Sequence, residues 1–247
     1  MWSSVVAMRV TLRAGSSDVP GEGCPALPPL TSERNRFTLR TVSGIPNIDR
    51  KTLRRQQTRA EIVAAAWDLV REEGLAGLSM RDLGHRVGMR AQSIYSYFSS
   101  KHEIFDAMFL EGYQDFADWM SGDRGDEVTA PDPVAGARRS VHDFVEFCTS
   151  DPVRYQLLFQ RTIPGFTPST ESWTVAVQAY EQMRERLSAV GVDDQETLDL
   201  WTAVMTGLTD QQISNDPGGT RWVRLVDRAI DMLLLDTRSN TPTTRAR

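Results

Sequence analysis

The chain has 247 residues, of which 40% are hydrophobic and 25% are charged, ordinary values for a globular protein with a sizeable core. Its net charge of −5 excludes a protein that is basic throughout, and its two cysteines exclude a disulfide scaffold. No run of residues approaches the ~18 apolar positions of a membrane span. The first ten residues lack the basic start of a signal peptide, so we expect a cytoplasmic protein.

The charges are unevenly distributed along the chain. Residues 50–102 carry ten lysines and arginines against five acidic residues, a net charge of +5. Residues 103–247 carry 13 basic and 24 acidic residues, a net charge of −11. A cationic segment on an acidic body indicates a local surface for a polyanion. A chance fluctuation of charge is the alternative explanation.

Residues 1–49 are rich in glycine, proline, serine and threonine and show no apolar period. We therefore predict a disordered N-terminal extension. Three interpretations of this segment are open. It is a regulatory tail, a basic arm that touches DNA through Arg34, Arg36 and Arg40, or a stretch upstream of the true start of translation.

A long helix is predicted from about residue 51 to residue 73, where Gly74 ends it. Its apolar positions recur at helical spacing and predict one buried stripe. This stripe consists of Ile62, Ala65, Ala66, Leu69 and Val70. The start of the helix carries Arg54, Arg55 and Arg59 in a row that can reach phosphate groups.

Residues 79–101 predict two short helices, at 80–87 and 91–98, joined by a tight turn. Ser79 suits the N-cap of the first helix, and Gly88 suits the left-handed position that ends it. The predicted support for the pair is apolar and consists of Leu83, Val87, Ile94 and Phe98. The second helix exposes arginine, amide, hydroxyl and phenol groups, which fit the major groove of DNA.

The apolar period of 3.6 residues continues through the rest of the chain. It predicts helices at 101–120, 134–149, 152–159, 170–190, 194–213 and 220–235. We therefore expect an all-α fold of about nine helices. Its parts are the disordered extension at 1–49, a helix-turn-helix DNA-binding domain at 50–100, a body at 101–236 and a disordered tail at 237–247.

Three motifs carry a resemblance to the TetR family of bacterial transcriptional regulators. They are AAxxLxxxxG at 65–74, GLxxLSMRDLxxxVGM at 74–89 and SIYSYFSSK at 93–101. The resemblance implies a homodimer that binds operator DNA through a three-helix head. It also implies a helical body that binds a small ligand and dimerises through its last two long helices. The segments DPVRYQLLF and LWTAVMTGL are similar to pieces of one group of such bodies.

Two residues depart from the pattern of the family. Arg90 stands where serine or threonine usually caps the second helix, which weakens the cap by ~1 kcal/mol but brings an arginine to the groove. Gly84 stands where alanine is common, at a cost of about 1 kcal/mol in helix propensity. We therefore expect Gly84 to make the unit slightly less rigid.

Several residues of the head are predicted to contact DNA. Arg90, Gln92 and Ser93 suit base edges, since arginine pairs with guanine and glutamine with adenine. The remaining residues suit phosphates or line the same surface. The full predicted set is Arg54, Arg55, Ser79, Arg81, Arg90, Ala91, Gln92, Ser93, Tyr95, Ser96, Tyr97 and Lys101. The alternatives are a packed aromatic for Tyr97, an intradomain ion pair for Arg81 and a solvated charge for Arg90.

The body is rich in aromatic residues and methionines, which predict either a ligand cavity or simply a packed core. The predicted cavity residues are Phe109, Tyr113, Phe116, Phe144, Phe147, Tyr155, Phe159, Tyr180, Met183, Trp201 and Met205. His142 and Glu146, one turn apart, are a polar pair, a metal half-site or an exposed pair. Because the three histidines are scattered, we predict no metal ion and no cofactor.

The last two helices carry more apolar residues than a lone surface helix needs. Trp222, Val226 and Leu233 lie on the last of them, and residues 201–208 lie on the one before it. A homodimer seam explains these residues, and burial within one subunit is the competing explanation.

The predicted function is a ligand-responsive transcriptional regulator, most often a repressor in this family, released from a pseudo-palindromic operator by a small apolar or aromatic ligand. Two other classes compete with it. One is an all-helical enzyme, for which the sequence offers no paired carboxylates, no cysteine–histidine pair in a suitable context and no phosphate loop. The other is an architectural DNA binder with neither sequence preference nor cavity.

Overall fold

Every regular element in the described residues, 50–122 and 132–240 of a computed structural model, is a helix. The elements are α1 (Arg50–Gly77), α2 (Met80–Arg86), α3 (Ala91–Ile94), α4 (Lys101–Ser121), α5 (Pro133–Ser150), α6 (Pro152–Phe159), α7 (Thr170–Ser188), α8 (Gln195–Asn215), a 3₁₀ turn (Val223–Leu225) and α9 (Val226–Asn240). The predicted all-α fold is confirmed. The predicted extension at 1–49 lies outside the described residues.

The predicted helix boundaries are wrong at several places, including the start of the last helix, which is Val226 and not residue 220. Three further differences are described in turn. Helix α1 continues to Gly77, although Gly74 breaks its regular path with a φ of 73°. Helix α3 ends at Ile94 and not at residue 98, because Ser96 turns back and donates its hydroxyl to the Ser93 carbonyl at 2.7 Å. Tight turns then lead to Phe98, whose N–H donates to the Ile94 carbonyl at 3.0 Å.

The third difference is at the end of the chain. Helix α9 runs to Asn240, whereas the sequence predicts a disordered tail from residue 237. Thr237 is buried, and its hydroxyl donates to the Leu233 carbonyl at 2.8 Å. A threonine whose hydroxyl is hydrogen-bonded within its own helix can be buried in a core. Its polar side chain gives no sign of this burial in the sequence. Residues 241–247 of the predicted tail lie outside the described residues.

Two apolar cores organise the helices. The head core combines α1, α2 and the α3 turn with residues from further along the chain. The residues from outside the predicted head are Ile104, Phe105 and Met108 of α4 and Leu157 of α6. The body core fills the space between α4 and the later helices. Packing therefore crosses the predicted boundary at residue 100, and α4 belongs to both cores.

Polar contacts reinforce the junction between the two cores. The Arg71 guanidinium of α1 binds the Asp151 carboxylate at the start of α6, with N–O distances of 2.9 and 3.0 Å. The Trp67 indole N–H donates to the Glu111 carboxylate of α4 at 3.2 Å. The ring of Phe166 packs against both cores. The head is thus attached to α4, α6 and the loop before α7.

Gly84 allows α2 and α3 to approach closely. A β-carbon built at Gly84 would lie 2.7 Å from the Met89 carbonyl oxygen and 3.1 Å from the Ala91 nitrogen. Backbone atoms at such distances cannot move aside as a flexible side chain can. The expectation that Gly84 loosens the unit is therefore wrong, because the missing side chain permits tighter packing.

None of the helices in residues 50–122 and 132–240 combines the length and the apolar character needed to cross a bilayer.

Replacing Leu157 with alanine should lower the free energy of unfolding by about 2–5 kcal/mol, because its side chain is buried in the head core. Urea denaturation followed by circular dichroism measures this loss. The control is Leu53→Ala on α1, where leucine is 48% exposed and the change should stay within ~0.5 kcal/mol. Equal stability of the two variants would show that α6 does not hold the head.

Replacing Gly84 with alanine should destabilise the protein by about 1–3 kcal/mol, because the new methyl group meets the backbone of Met89 and Ala91. Helix propensity alone predicts the opposite sign, a gain of about 1 kcal/mol. Urea denaturation distinguishes the two, and shifts of the amide signals of Met89 and Ala91 locate the strain. A more stable variant would contradict the close-packing interpretation.

Candidate nucleic-acid interface and body cavity

The α3 turn unit, residues 90–98, presents a polar face on an apolar support. Ile94 and Phe98 are fully buried in the head core. The polar side chains next to them in the sequence are exposed, and these are Gln92, Ser93, Tyr95 and Ser96. Ala91 and Tyr97 are half-buried. The unit therefore displays amide, hydroxyl and phenol groups that could meet base edges and phosphates.

Arg90 occupies the N-cap of α3 without capping it. Its backbone is extended, with φ −71° and ψ 144°, and its side chain makes no hydrogen bond to the helix start. The guanidinium is consequently free to contact a ligand. A surface groove at the turn between α2 and α3 is lined by Arg81, Gly84, His85, Gly88, Met89, Arg90 and Ala91. His85 was missed from the sequence, although it lies one helical turn after Arg81.

Three of the predicted arginine contacts have no protein partner. Arg54, Arg81 and Arg90 are exposed and make no hydrogen bond or ion pair within residues 50–122 and 132–240. The alternative of an intradomain ion pair for Arg81 therefore does not hold in the described chain. These three side chains keep their full charge available for an external anion.

Arg55 supports the α3 turn unit. Its guanidinium donates to the Ser96 carbonyl at 2.6 Å and lies 5.0 Å from the centre of the Tyr97 ring. Arg59 acts similarly, since its guanidinium lies 4.0 Å from the centre of the Phe98 ring and donates to the Tyr97 carbonyl. Both arginines therefore hold the backbone that follows α3.

Two more predicted phosphate contacts also have structural roles. The Ser79 hydroxyl caps α2 by accepting from the Asp82 N–H at 3.2 Å, as predicted for the N-cap. The Lys101 ammonium lies 3.5 Å from the Ala76 carbonyl at the end of α1. A lysine at that place suits the negative end of a helix dipole. Removing either side chain would therefore also disturb the head itself.

Glu103 fastens the start of α4 to the α3 turn unit. Its carboxylate accepts from the Ser99 N–H at 2.6 Å and pairs with Arg59 at 3.2 Å. Burial opposes ionisation of Glu103, but the hydrogen bonds from Ser99 and Arg59 outweigh it and lower its pKa. The carboxylate is therefore charged at neutral pH and neutralises Arg59.

Other arginines of the head are neutralised by acidic neighbours. Arg86 of α2 forms a two-point pair with Glu72 of α1, and the hydrogen bond from Arg86 lowers the pKa of Glu72. Arg71 pairs with Asp151 as described above. The net charge of +5 thus overstates the charge that this surface offers, because part of it is engaged within the fold.

A cavity lies in the body between α4, α5, α7 and α8. Its lining residues are Phe116, Met120, Ser140, Val141, Phe144, Met183, Leu187, Trp201, Thr202, Met205 and Thr206. The volume that the centre of a water-sized sphere can occupy is about 40 Å³, within about 490 Å³ of space that includes gaps between atoms and open solvent. Among the described residues, none that line it is charged.

Only part of the predicted cavity set lines this space. Phe116, Phe144, Met183, Trp201 and Met205 do so. The other six predicted residues pack into the body core away from it, and these are Phe109, Tyr113, Phe147, Tyr155, Phe159 and Tyr180. Aromatic rings next to each other on α4, α5 and α6 fill the space between those helices. The small lining residues Ser140, Thr202 and Thr206 were missed, since their type does not distinguish cavity from surface.

Tyr155 belongs to a buried polar contact that fixes α6 to α8. Its hydroxyl donates to the Asp210 carboxylate at 2.8 Å, and the Gln160 amide donates to the same oxygen at 2.7 Å. Burial is the first cause of a raised pKa of Tyr155, and the neighbouring Asp210 raises it further. Tyr155 therefore stays protonated and serves as a donor within the core.

The α8 and α9 surfaces leave large apolar side chains exposed. Met232 and Leu235 of α9 are 63% and 64% exposed, and Leu200 of α8 is 44% exposed. By contrast, Val226 and Leu233 of the predicted seam are buried within the subunit. For those two residues, the competing explanation of burial within one subunit is correct.

His142 of α5 contacts helix α9. Its Nε2 lies 3.0 Å from the Asp227 carboxylate of α9, which also binds Arg138. Hydrogen bonds from His142 and Arg138 lower the pKa of Asp227. No group of three potential metal-binding side chains occurs within residues 50–122 and 132–240.

Comparisons with known proteins agree with this arrangement. Residues 62–108, which span α1 to α4, match the sequence model of the bacterial regulatory proteins of the tetR family. A regulator from Mycobacterium bovis (strain ATCC BAA-935 / AF2122/97), HTH-type transcriptional regulator Mb1846, is 31% identical over 114 residues, which cover 45% of this chain and 47% of the relative. The chain thus matches about half the length of that relative.

Two further proteins extend the likeness into the body. The HTH-type transcriptional activator FasR of Mycolicibacterium smegmatis (strain ATCC 700084 / mc(2)155) is 29% identical over 154 residues, 57% of this chain and 69% of that protein. The crystal structure of the regulatory protein SCO4313 superposes with a TM-score of 0.58 at 21% identity, over 74% of this chain and 97% of that one. That structure shares the fold. The head of this chain thus matches the sequence model of the tetR family of bacterial regulatory proteins, and its helices share the fold of the superposed structure.

Proposed function

We propose that this protein is a homodimeric regulator of transcription that binds operator DNA through the α3 turn unit and leaves it when a small ligand occupies the body cavity. The observation that carries the proposal is the polar face of residues 90–98, supported from behind by Ile94 and Phe98 and flanked by unpartnered arginines. An exposed polar helix start beside free cations is what major-groove recognition requires.

Residues at the start of α3 would read the bases. The Arg90 guanidinium can donate to both acceptors of guanine, and the Gln92 amide can pair with adenine. Ser93 adds a hydroxyl that either donates or accepts. Arg54 and Arg81, free of protein partners in the described chain, would neutralise phosphates on either side. Tyr95 is 49% exposed and supplies a further hydroxyl for a phosphate.

The exposed apolar side chains of α8 and α9 support a homodimer. Leu200, Met232 and Leu235 are large and accessible in one subunit, which is costly for a helix that faces only water. Gly207 of α8 has nothing within 4 Å of its missing side chain, so a second backbone can approach there. Two heads held in this way would enter successive major grooves about one turn of DNA apart.

Helix α4 supplies a physical route from ligand to DNA. Its first half packs in the head core through Ile104, Phe105 and Met108, and its second half lines the cavity through Phe116 and Met120. A ligand that separates α4 from α5, α7 and α8 would therefore shift the head. Coupling of this type is typically ~1–3 kcal/mol.

We propose that the protein represses transcription, since a bound dimer would block access to a promoter. FasR, similar to this chain over 57% of its length, is named as an activator. In vitro transcription from a promoter that carries the selected operator, with and without the protein, would decide the sign. An increase in transcript would reverse it without affecting the DNA-binding proposal.

Replacing Arg90 with alanine should change the preferred sequence, because the contact to guanine is lost at an estimated ~1–3 kcal/mol. Selection of binding sites from random double-stranded DNA, followed by sequencing, measures the preference. Replacing Arg81 with alanine is the matched control, since losing a phosphate contact weakens all sites alike.

Two outcomes of the selection would contradict the proposal. If the wild-type protein enriches no sequence, it is an architectural DNA binder. If Arg90→Ala and Arg81→Ala shift the preference equally, Arg90 has no special role in reading bases.

Replacing Met232 with glutamate should dissociate the homodimer, because a charge would be buried in an apolar seam. Sedimentation velocity measures the change of mass. Leu53→Glu on α1 is the control, since it places the same charge at another exposed apolar position, 48% accessible. A dimer that survives Met232→Glu but not Leu53→Glu would place the seam elsewhere.

A further inference from the structure

Helix α3 is too short to fix its own orientation. It has four residues, Ala91–Ile94, and the Arg90 side chain before it makes no capping hydrogen bond. Isolated helices of this length are not stable in water, because one or two backbone hydrogen bonds do not offset the loss of conformational freedom. The direction in which Gln92 and Ser93 point therefore depends on contacts made by neighbouring elements.

Helix α1 provides two of these contacts through arginines four residues apart. The Arg55 guanidinium donates to the Ser96 carbonyl at 2.6 Å, and the Arg59 guanidinium donates to the Tyr97 carbonyl. Residues four apart lie on the same side of a helix, so both guanidinium groups reach the turn from one direction. Two consecutive carbonyl groups held from one side restrict both the position and the rotation of the backbone that follows α3.

Arg59 extends this attachment to α4. Its guanidinium lies 4.0 Å from the centre of the Phe98 ring and 3.2 Å from the Glu103 carboxylate. Glu103 in turn accepts from the Ser99 N–H at 2.6 Å. A single ion pair thus joins α1, the end of the α3 turn unit and the first turn of α4. The α3 turn unit is therefore held by two helices at once.

The ion pair offers little charge to DNA, whereas the arginine before Arg55 offers a full one. Arg59 and Glu103 carry opposite charges 3.2 Å apart, so their fields largely cancel beyond the pair. Arg54 is exposed and makes no hydrogen bond or ion pair with the rest of the described chain. The start of α1 therefore carries one arginine that is free to meet an anion and others that are bound within the head.

We propose that the Arg59–Glu103 pair, assisted by Arg55, positions the α3 turn unit in the major groove and thereby determines how strongly the protein prefers its operator to other DNA. The three are positioning residues, since they act through the base-reading residues at the start of α3 and touch no DNA themselves. The inference rests on the proposed reading of bases by α3. It gives Arg55 a different role from the phosphate contact predicted from the sequence.

Two substitutions with opposite effects on charge distinguish positioning from electrostatic attraction. Arg59→Gln removes a positive charge and Glu103→Gln removes a negative one, while each breaks the same ion pair. Attraction to phosphates predicts weaker binding to every sequence for the first variant and stronger binding for the second. Positioning predicts that both variants lose preference for the operator by about tenfold, the effect of one mismatched base pair.

The double variant Arg59→Gln/Glu103→Gln gives the sharpest comparison, because its net charge equals that of the wild type. Electrostatic attraction predicts wild-type binding to both operator and other DNA. Positioning predicts the same loss of preference, about tenfold, as in either single variant, since two side chains that act as a unit have non-additive effects.

Fluorescence anisotropy of the full chain with labelled DNA measures these affinities at several salt concentrations. One duplex carries the operator obtained by site selection, and the other has the same bases in shuffled order. Arg54→Gln is the matched control, since it should weaken binding to both duplexes alike and reduce the salt slope by about 2, one counterion in each of two subunits. The ion-pair variants should keep the affinity for the shuffled duplex within about threefold of the wild type, because no phosphate contact is lost.

A measurement without DNA keeps the test independent of how well each variant binds. Glu103→Gln retains an oxygen that can accept from the Ser99 N–H, so this variant serves even if Arg59→Gln folds poorly. In the free protein, the backbone amide signals of residues 95–99 should shift in both single variants and stay in place in Arg54→Gln. Unshifted signals in Glu103→Gln would show that the ion pair does not position the α3 turn unit.

The binding experiments can overturn the proposal in two further ways. Opposite changes of affinity in the two single variants, alike for both duplexes, would assign the pair an electrostatic role. Wild-type preference in the double variant would reject positioning alone and leave base reading by α3 intact. A wild-type protein that selects no operator would instead reject the proposed base reading, and this inference with it.

Discussion

The burial of one helix in two cores is the constraint on which the rest of this structure depends. Helix α4 places Ile104, Phe105 and Met108 in the head core and Phe116 and Met120 against the body cavity. Because protein interiors are densely packed, neither half of the helix can move without rearranging its neighbours. The head is therefore not an independent domain on a flexible linker, and its orientation depends on the packing of the whole subunit.

Contacts made by α6 add to the constraint imposed by α4. Leu157 inserts into the head core from α6, while Phe159, two residues later, packs in the body core. The Arg71–Asp151 pair ties the start of the same short helix to α1. Helices α4 and α6 therefore both connect the body to the head.

Much of this arrangement can be predicted from the sequence because it depends on interactions between residues that are close together in the chain. Helical period, the Ser79 cap and the turn at Gly88 predict the helix-turn-helix, and Ile94 and Phe98 predict its buried side. What could not be predicted depends on distant neighbours. The role of Arg55 under Ser96 and Tyr97, 41 and 42 residues later, has no local signal. The same holds for which aromatic residues line the cavity, since Tyr155 and Trp201 are both buried and only Trp201 lies in the cavity wall. Gly84 is the clearest example of what the sequence does not predict. Its role is to leave room for the backbone of Met89 and Ala91, which packs where a side chain would otherwise lie.

The division of labour among the arginines of the head has a consequence for how binding would respond to ionic strength. Arg55, Arg59, Arg71 and Arg86 hold the fold, while Arg54, Arg81 and Arg90, like Arg50 at the start of α1, remain unpaired in the described chain. If Arg54, Arg81 and Arg90 meet phosphates or bases in each of two subunits, about six counterions leave the DNA, and the logarithm of affinity falls with a slope of about −5 against the logarithm of salt. A surface with this few free charges would bind random DNA weakly at cellular salt. Its recognition of an operator would then depend on DNA shape and on contacts to base edges rather than on strong non-specific binding to the rest of the DNA.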